Sequence, residues 1–187
     1  DWSWSVLAQD FDLDGLVDLY VTNGTKRDIG DQDFTNNLFA GDRLARADAY
    51  KRMPQSKLKD YFFRNTGGFR FLDAGQTEGL AQPEVSNGSA YGDLDNDGDL
   101  EIVVNNTDAL ATLLVNTSVD QARADKHWVG FSLKGTPSNR TAIGARITVF
   151  VPGATYTKEV FATRGFLSTS DTRPIFGLGS ATRIDSV

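Results

Sequence analysis

The chain has 187 residues, with 25 acidic and 19 basic side chains, a formal net charge of −6, a single histidine and no cysteine. The absence of cysteine excludes a disulfide framework, a thiolate zinc site and a cysteine nucleophile, and one histidine excludes a multi-histidine metal site. The charge is divided unevenly: residues 1–125 carry 22 acidic and 11 basic side chains, whereas residues 126–187 carry 3 and 8. This division predicts two segments with different roles, of which the second would attract anions.

A pattern of strand, acidic loop and strand occurs twice along the chain, with an offset of 83 residues. The acidic loops begin at Asp10 and Asp93, and each is followed by a short, apolar, β-branched run that is typical of a strand. The aromatic segments 61–65 and 69–72 flank a Gly-Gly turn, which predicts a hairpin. Residues 112–116, after the second loop, partly resemble the first strand of this hairpin. Each copy is therefore expected to form a small antiparallel sheet.

A helical insertion around residues 36–59 is predicted between the two copies, because this stretch is rich in Ala, Leu, Arg and Lys and spaces its apolar residues as a helix does. Those apolar residues are Leu38, Phe39, Leu44, Ala45 and Ala49. Pro54 is expected to interrupt or end the helix. The insertion accounts for the long offset between the copies.

A second all-β module is predicted after a polar linker at residues 117–126. Residues 128–133, 145–151 and 157–162 alternate between apolar and polar side chains, as half-buried strands do, and glycines separate them.

The two acidic loops have the spacing of a cation site. In each, carboxylates occupy positions 1, 3, 5 and 9 and glycine occupies position 6, as in the first part of a calcium loop, where alternate side chains of a tight turn point inward. The expected ligands are Asp10, Asp12, Asp14, the carbonyl of Leu16 and Asp18 in the first loop, and Asp93, Asp95, Asp97, the carbonyl of Asp99 and Glu101 in the second. Two Ca²⁺ ions are predicted, with Mg²⁺ as the lesser alternative because it keeps more of its water.

These loops differ from EF-hands, because Val21 and Val104 stand where a bidentate glutamate is needed and strands are predicted on both sides. Asp-Gly turns also occur in β proteins without a metal. Four carboxylates within nine residues, however, repel one another unless a cation or protons compensate. With no base beside the loops, the predicted ions are structural rather than catalytic. The sequence contains no catalytic constellation, so the chain is not expected to be an enzyme.

Several segments resemble known families. Residues 91–100, of sequence YGDLDNDGDL, resemble FG-GAP/VCBS repeats, which form the calcium-carrying blades of integrin-α-type β-propellers. Residues 138–146, 165–170 and 176–179 are similar to the ASPIC/UnbV domain, which follows such repeats in bacterial secreted proteins and in cartilage acidic protein.

The resemblance implies an all-β fold. Residues 1–120 would form partial β-propeller blades with the helical insertion, and residues 127–187 a small, β-sandwich-like UnbV domain that is truncated at its C-terminus. A propeller needs roughly four to eight blades. The two acidic loops account for two, so the chain is expected to be a fragment of a longer protein.

The expected function is recognition or adhesion at a cell surface. The resemblance and the two calcium-type loops imply a secreted or surface-exposed module that binds a protein or a glycan, and the lack of cysteine favours a bacterial source. No membrane span and no nucleic-acid partner are expected, because no apolar run approaches roughly 18 residues and no nucleic-acid-binding fold is apparent. Two alternatives stay open: a non-catalytic part of a larger glycan-active enzyme, and a scaffold subunit of a surface assembly.

Overall fold

A computed structural model describes residues 2–28, 30–40, 43–53, 56–119 and 126–187. This part of the chain is mostly β-strand, with two helices, and is therefore all-β in class. In chain order the elements are β1 Ser3–Gln9, β2 Asp18–Asn23, α1 Gln32–Ala40, α2 Arg43–Arg52, β3 Leu58–Lys59, β4 Tyr61–Asn65, β5 Phe71–Asp73, β6 Pro83–Glu84, β7 Ser86–Gly92, β8 Glu101–Asn106, β9 Thr112–Leu114, β10 His127–Gly130, β11 Arg146–Val151, β12 Ala154–Glu159 and β13 Ile175–Gly179. Neither described helix is long and apolar enough to cross a membrane.

The predicted repeat is present as two antiparallel sheets, one with the order β1-β2-β4-β5 and one with the order β7-β8-β9. Their first two strands pair in equivalent registers: Gln9 faces Asp18 in the first sheet and Gly92 faces Glu101 in the second. Both pairs also carry an irregularity at the same place, after Ser3 and after Ser86. Among the described residues no sheet closes on itself. The small β3–β6 pair links the two sheets.

The helical insertion spans different residues from those predicted. It begins at Gln32 rather than near residue 36, because the Asp31 carboxylate accepts the backbone N–H of Phe34 at 3.0 Å and so caps α1. It ends at Arg52, and residues 58–59, expected in the helix, form β3 and pair with β6. The side chains of Leu38, Phe39, Leu44, Ala45 and Ala49, and the whole of Pro54, lie outside the described part.

The second module contains the predicted strands with shifted ends. The strand expected at 157–162 is β12 and begins at Ala154, because the two-residue turn Pro152-Gly153 pairs Val151 directly with Ala154. Gly153 has φ +82°, which suits such a turn. The strand expected at 128–133 is β10, which pairs with β13, a strand that the alternation did not reveal. Of the predicted linker at 117–126, residues 120–125 lie outside the described residues.

Two apolar cores organise the molecule. The first joins both repeat sheets, and its members include Leu7, Tyr20, Phe62, Tyr91, Ile102 and Val104. It also contains Phe11, Leu13 and Leu100 from the acidic loops, and Ile175 from the second module. The second core lies between the β10–β13 and β11–β12 pairs around Val149 and Phe176. The acidic loops are therefore anchored by apolar side chains that alternate with their carboxylates.

Replacing Leu7 by alanine tests the first core. Leu7 is 1 % exposed, so Leu7→Ala should lower the free energy of unfolding by about 2–5 kcal/mol through lost burial and a residual cavity. The matched control is Leu110→Ala, since Leu110 is 91 % exposed and its truncation should change stability by less than about 0.5 kcal/mol. Urea unfolding of both variants measures the difference. Equal midpoints would show that the first core is wrongly assigned.

Candidate metal centre

The two acidic loops share one backbone conformation. The fourth residue of each has a left-handed φ, 60° at Leu13 and 63° at Asn96, and so does the sixth, 88° at Gly15 and 104° at Gly98. The left-handed region is costly for residues other than glycine, so two such positions in each loop mark a tightly specified turn.

The same hydrogen bonds hold both turns. The carboxylate at position 3 accepts the N–H of position 5, at 3.3 Å from Asp12 and 3.2 Å from Asp95. The carboxylate at position 9 accepts the N–H of position 2, at 3.2 Å from Asp18 and 2.8 Å from Glu101. Asp14 and Asp97 accept the N–H two residues further on, at 2.8 and 3.0 Å. The bonds from Asp12, Asp14, Asp95 and Asp97 to the N–H two residues on are Asx turns, and those from Asp18 and Glu101 close the loop, so the carboxylates shape the loop that carries them.

Three of the predicted carboxylates come together in each loop. One oxygen from each of Asp10, Asp12 and Asp18 lies within 4.8 Å of the other two, and the same holds for Asp93, Asp95 and Glu101. The predicted ligands Asp14 and Asp97 are not members of these groups. Such triads of hard oxygen donors are what a divalent cation of the calcium or magnesium type binds.

In the first loop the protein itself satisfies much of the negative charge. Both oxygens of Asp10 accept backbone N–H groups, from Asp14 and Gly15, each at 3.0 Å. Asp12 is flanked by two cations, with Lys126 Nζ at 3.3 Å and Arg64 Nε at 3.6 Å from its Oδ2. Lys126 also donates to the Asp12 carbonyl.

Among the described residues the second loop has less of this compensation. Asp93 Oδ1, Asp99 Oδ1 and Glu101 Oε1 are buried and accept no hydrogen bond from the part of the chain that the structure describes. A buried acceptor without a partner costs free energy, and more so when it is charged. The second loop therefore fits a bound cation better than the first.

Asp99 has an unexpected role. The sequence assigned only its carbonyl to the site, but its side chain is fully buried and its Oδ2 accepts the N–H of Val119 at 3.0 Å. Its other oxygen is one of the three without a partner. Leu16, at the equivalent position of the first loop, is partly exposed.

Burial raises the pKa of several loop carboxyls. Desolvation is the largest cause at Asp10, whose pKa rises to about 6, and at Asp18 and Asp99, whose pKa values rise to about 7. Repulsion from neighbouring carboxylates adds to each shift, and backbone N–H donors oppose it. Without a cation, Asp18 and Asp99 would therefore titrate near neutral pH and Asp10 in slightly more acidic solution.

The second module packs directly against the first loop. A Cβ at Gly177 would lie 2.1 Å from Asp10 Oδ2 and 2.6 Å from the Leu13 backbone, so only glycine fits there. A Cβ at Gly15 would likewise lie 2.7 Å from the Tyr156 ring. Lys158 on β12 faces Asp10, and its pKa falls to about 8, chiefly because it is buried.

The second loop also contacts the second module. A Cβ at Gly98 would lie 2.0 Å from the Trp128 indole. Arg173 donates to the Asp93 carbonyl at 2.9 Å and to Asn96 Oδ1 at 3.2 Å. Both candidate sites thus lie at the contact between the repeat sheets and the second module.

The cations around the acidic loops were not predicted from the sequence. They are Arg64, Lys126, Lys158 and Arg173. The uneven distribution of charge along the sequence gave some indication of them, because three of these four residues belong to the basic segment 126–187. Their partners turn out to be the acidic loops of the same chain.

Residues 135–187 match the family model described as ASPIC and UnbV. The match covers β11, β12 and β13, and includes Gly177 and Tyr156, which pack on the first loop. It supports the UnbV part of the predicted resemblance. No curated protein matches the chain.

The raised pKa values predict an unusual pH dependence of the metal-free protein. A carboxyl with a pKa of about 6–7 in the folded state and about 3.9 when unfolded stabilises the protein below pH 4, and this contribution disappears as the pH rises through 6–7. In chelator, the melting temperature should therefore fall between pH 5 and pH 8. The Asp18→Asn variant should show a smaller fall. A melting temperature that rises over this range would contradict the prediction.

Replacing Gly98 by alanine tests the contact with Trp128. Gly98→Ala should lower the free energy of unfolding by about 2–5 kcal/mol, since strain at φ +104° adds to a clash with the indole. Gly153→Ala is the matched control, because Gly153 has φ +82° with open space around it and should cost only about 1–2 kcal/mol. Chemical unfolding followed by tryptophan fluorescence measures both. Equal losses would argue against the contact.

Proposed function

We propose that the chain is a calcium-stabilised recognition module, in which FG-GAP/VCBS-type propeller blades are joined to an UnbV domain. The observation that carries the proposal is the second acidic loop, where three carboxylates converge and three buried carboxylate oxygens have no partner among the residues that the structure describes. A bound Ca²⁺ supplies positive charge and six to eight coordination positions for oxygen, which matches this donor set. Asp93, Asp95 and Glu101 would hold it.

The proposed role of the ion is structural. The carboxylates lie between the repeat sheets and the second module, where Trp128 packs on Gly98 and Arg173 reaches the Asp93 carbonyl. Neutralising the loop would fix its shape and hold this contact together. Millimolar extracellular calcium is enough for a site of modest affinity, which suits a secreted or surface-exposed protein.

The arrangement of the sheets supports propeller blades. Each repeat sheet is an antiparallel meander of consecutive strands apart from the β3 excursion, and β1 lies against β7, with Ser89 Oγ donating to Ser5 Oγ at 2.7 Å. Adjacent propeller blades face each other in this way around a central axis. Apolar side chains left exposed on the outer strands, such as Leu72 and Leu113, match faces that further blades would cover.

The alternative of a glycan-active enzyme receives no specific support. Such an enzyme would use a pair of carboxylates that face each other across a cleft. The cavity between the sheets and the second module is lined by Glu159 and Asp171, among other residues. Asp171 is held by Arg173 at 2.6 Å, and Glu159 lies 3.9 Å from Arg146, so both already have arginine partners.

Calcium titration tests the second loop. Asp95→Asn removes one ligand charge and should weaken calcium binding by roughly tenfold or more, because affinity follows the ligand charge count. Asp108→Asn is the matched control, since Asp108 is exposed and pairs only with Lys26. Isothermal titration calorimetry measures both variants beside the parent. Equal affinities for calcium would refute the assignment of this loop.

Thermal unfolding tests the structural role of the ion. At calcium concentrations of about 100 times Kd, binding should add about 2.7 kcal/mol of stability. Chelator should therefore lower the melting temperature of the parent, while Asp12→Ala and Asp95→Ala should each lower it in calcium. The calcium-dependent part of the stability should shrink more for Asp95→Ala, because Lys126 and Arg64 already compensate Asp12. A melting temperature indifferent to chelator would contradict the structural role.

A further inference from the structure

The cavity between the repeat sheets and the second module has a volume of about 190 Å³. Its walls come from β1, β7, β12 and the segment before β13, and Phe161, Pro174 and Ile175 provide apolar surface. A dry cavity of roughly 150 Å³ accommodates a benzene ring. The space is therefore sufficient for one ring-sized molecule.

Among the side chains that line the cavity, Lys158, Arg164 and Arg173 donate hydrogen bonds, whereas Glu159 and Asp171 accept them. Lys158 Nζ donates to Gln9 Oε1 at 3.0 Å and to the Ile175 carbonyl. An ammonium group carries three N–H donors, so one remains for a ligand. Gln9 Nε2 in turn donates to the Tyr91 hydroxyl at 2.6 Å.

Arg164 adds a second cation to the same wall. Its guanidinium lies over the Phe161 ring at 4.8 Å and contacts the Tyr91 hydroxyl. Its Nε is buried and donates to none of the described residues. Since Gln9 and Arg164 can only donate to Tyr91 through these groups, the hydroxyl hydrogen has no acceptor among the described residues.

The remaining cation of the cavity is already neutralised. Arg173 pairs with Asp171, with guanidinium nitrogens at 2.6 and 2.8 Å from Asp171 Oδ2. Lys158 is faced by the carboxylate of Asp10 in the first loop. Among the described residues no carboxylate lies within ion-pair distance of Arg164. Glu159, the other carboxylate of the lining, lies 3.9 Å from Arg146. Three cations and two carboxylates of the described residues therefore line the open space, and positive charge is in excess at Arg164.

We infer that this cavity binds the carboxylate of a ring-sized ligand, with Arg164, Lys158 and the Tyr91 hydroxyl as its donors. The planar guanidinium matches the geometry of a carboxylate, and Phe161 and Pro174 cover the ring. This inference deepens the recognition part of the proposed function and rests on that part, but it does not depend on calcium. A free cyclic acid and a uronic acid residue of an acidic glycan carry the same chemistry.

Binding of glucuronate and of benzoate to the full chain tests the site, with glucose and benzamide as neutral counterparts. Isothermal titration calorimetry and ligand-observed NMR should detect saturable binding of at least one carboxylate and much weaker binding of its neutral counterpart. Preference for glucuronate identifies an acidic glycan as the source, and preference for benzoate a free acid. No binding of either acid, or equal binding of the neutral counterparts, overturns the inference.

Variants locate the site. Arg164→Gln should weaken carboxylate binding by roughly tenfold to a hundredfold, as expected for the loss of a charge-assisted hydrogen bond. The matched control is Arg183→Gln, because Arg183 is exposed and pairs with Asp185 at 3.2 Å. Tyr91→Phe removes only the hydroxyl and should weaken binding by about threefold to tenfold, so it decides the matter if Arg164→Gln does not fold. Unchanged affinity in the folded variants would overturn the assignment.

The melting temperatures of the same samples in calcium and in chelator distinguish the two proposals. The Arg164→Gln variant should keep the calcium-dependent shift in melting temperature but lose binding of the carboxylate ligand. A parent protein that binds carboxylate but shows no calcium-dependent shift would contradict only the calcium proposal.

Discussion

Crowded carboxylates that repel one another are the constraint on which this structure depends. Each acidic loop brings three carboxylate oxygens within 4.8 Å of one another, and Asp10, Asp18 and Glu101 are buried, whereas Asp95 is exposed. Charges in such an environment must be neutralised by protons, by hydrogen-bond donors or by cations. The backbone N–H groups of the turns, the arginines and lysines around the loops and the raised pKa values are all responses to this requirement. Calcium is the proposed further response.

The contact between the two modules follows from the same requirement. The acidic segment and the basic segment of the chain meet at the loops, where Lys126 and Lys158 approach the first loop and Arg173 the second. Gly177 allows β13 to come close to Asp10, and Gly98 makes room for Trp128. The second module thus completes the surroundings of both loops. Its family match includes the strand that makes this close approach.

The two acidic loops are nearly equivalent in conformation but differ in how their negative charge is compensated. They share the backbone conformation and the Asx turns, but only the first has Lys126 beside its central carboxylate. In the second, Asp99 replaces the partly exposed Leu16 and adds another buried carboxylate without a full set of partners. The first loop can be neutralised largely by tethered cations, whereas the second is better suited to a free ion. The cavity with Arg164 has the opposite imbalance, because three cations and two carboxylates of the described residues line it.

Much of the fold was accessible from the sequence by itself. The 83-residue offset predicted both strand pairs, since alternating β-branched residues and Asp-Gly turns determine conformation locally. The same spacing predicted the ligands of each loop, and three of those carboxylates converge in each, whereas Asp14 and Asp97 are not members of these groups. The ends of helices and strands were predicted less well. The cap at Asp31 and the turn at Gly153 make α1 and β12 begin earlier than predicted, and no local pattern indicated β13. The match to the UnbV family agrees with motifs visible in the tail.

Only the tertiary structure decided which groups surround the loops. Lys126 lies 114 residues from Asp12, and Lys158 lies 149 residues from Gln9, so no spacing along the chain reports their proximity. The burial of the Asp99 side chain, the difference between the two loops and the donor-rich cavity at Arg164 arise from the docking of the second module. The physical reason is that a turn is specified by neighbouring residues, whereas the electrostatic environment of a buried charge depends on everything packed around it.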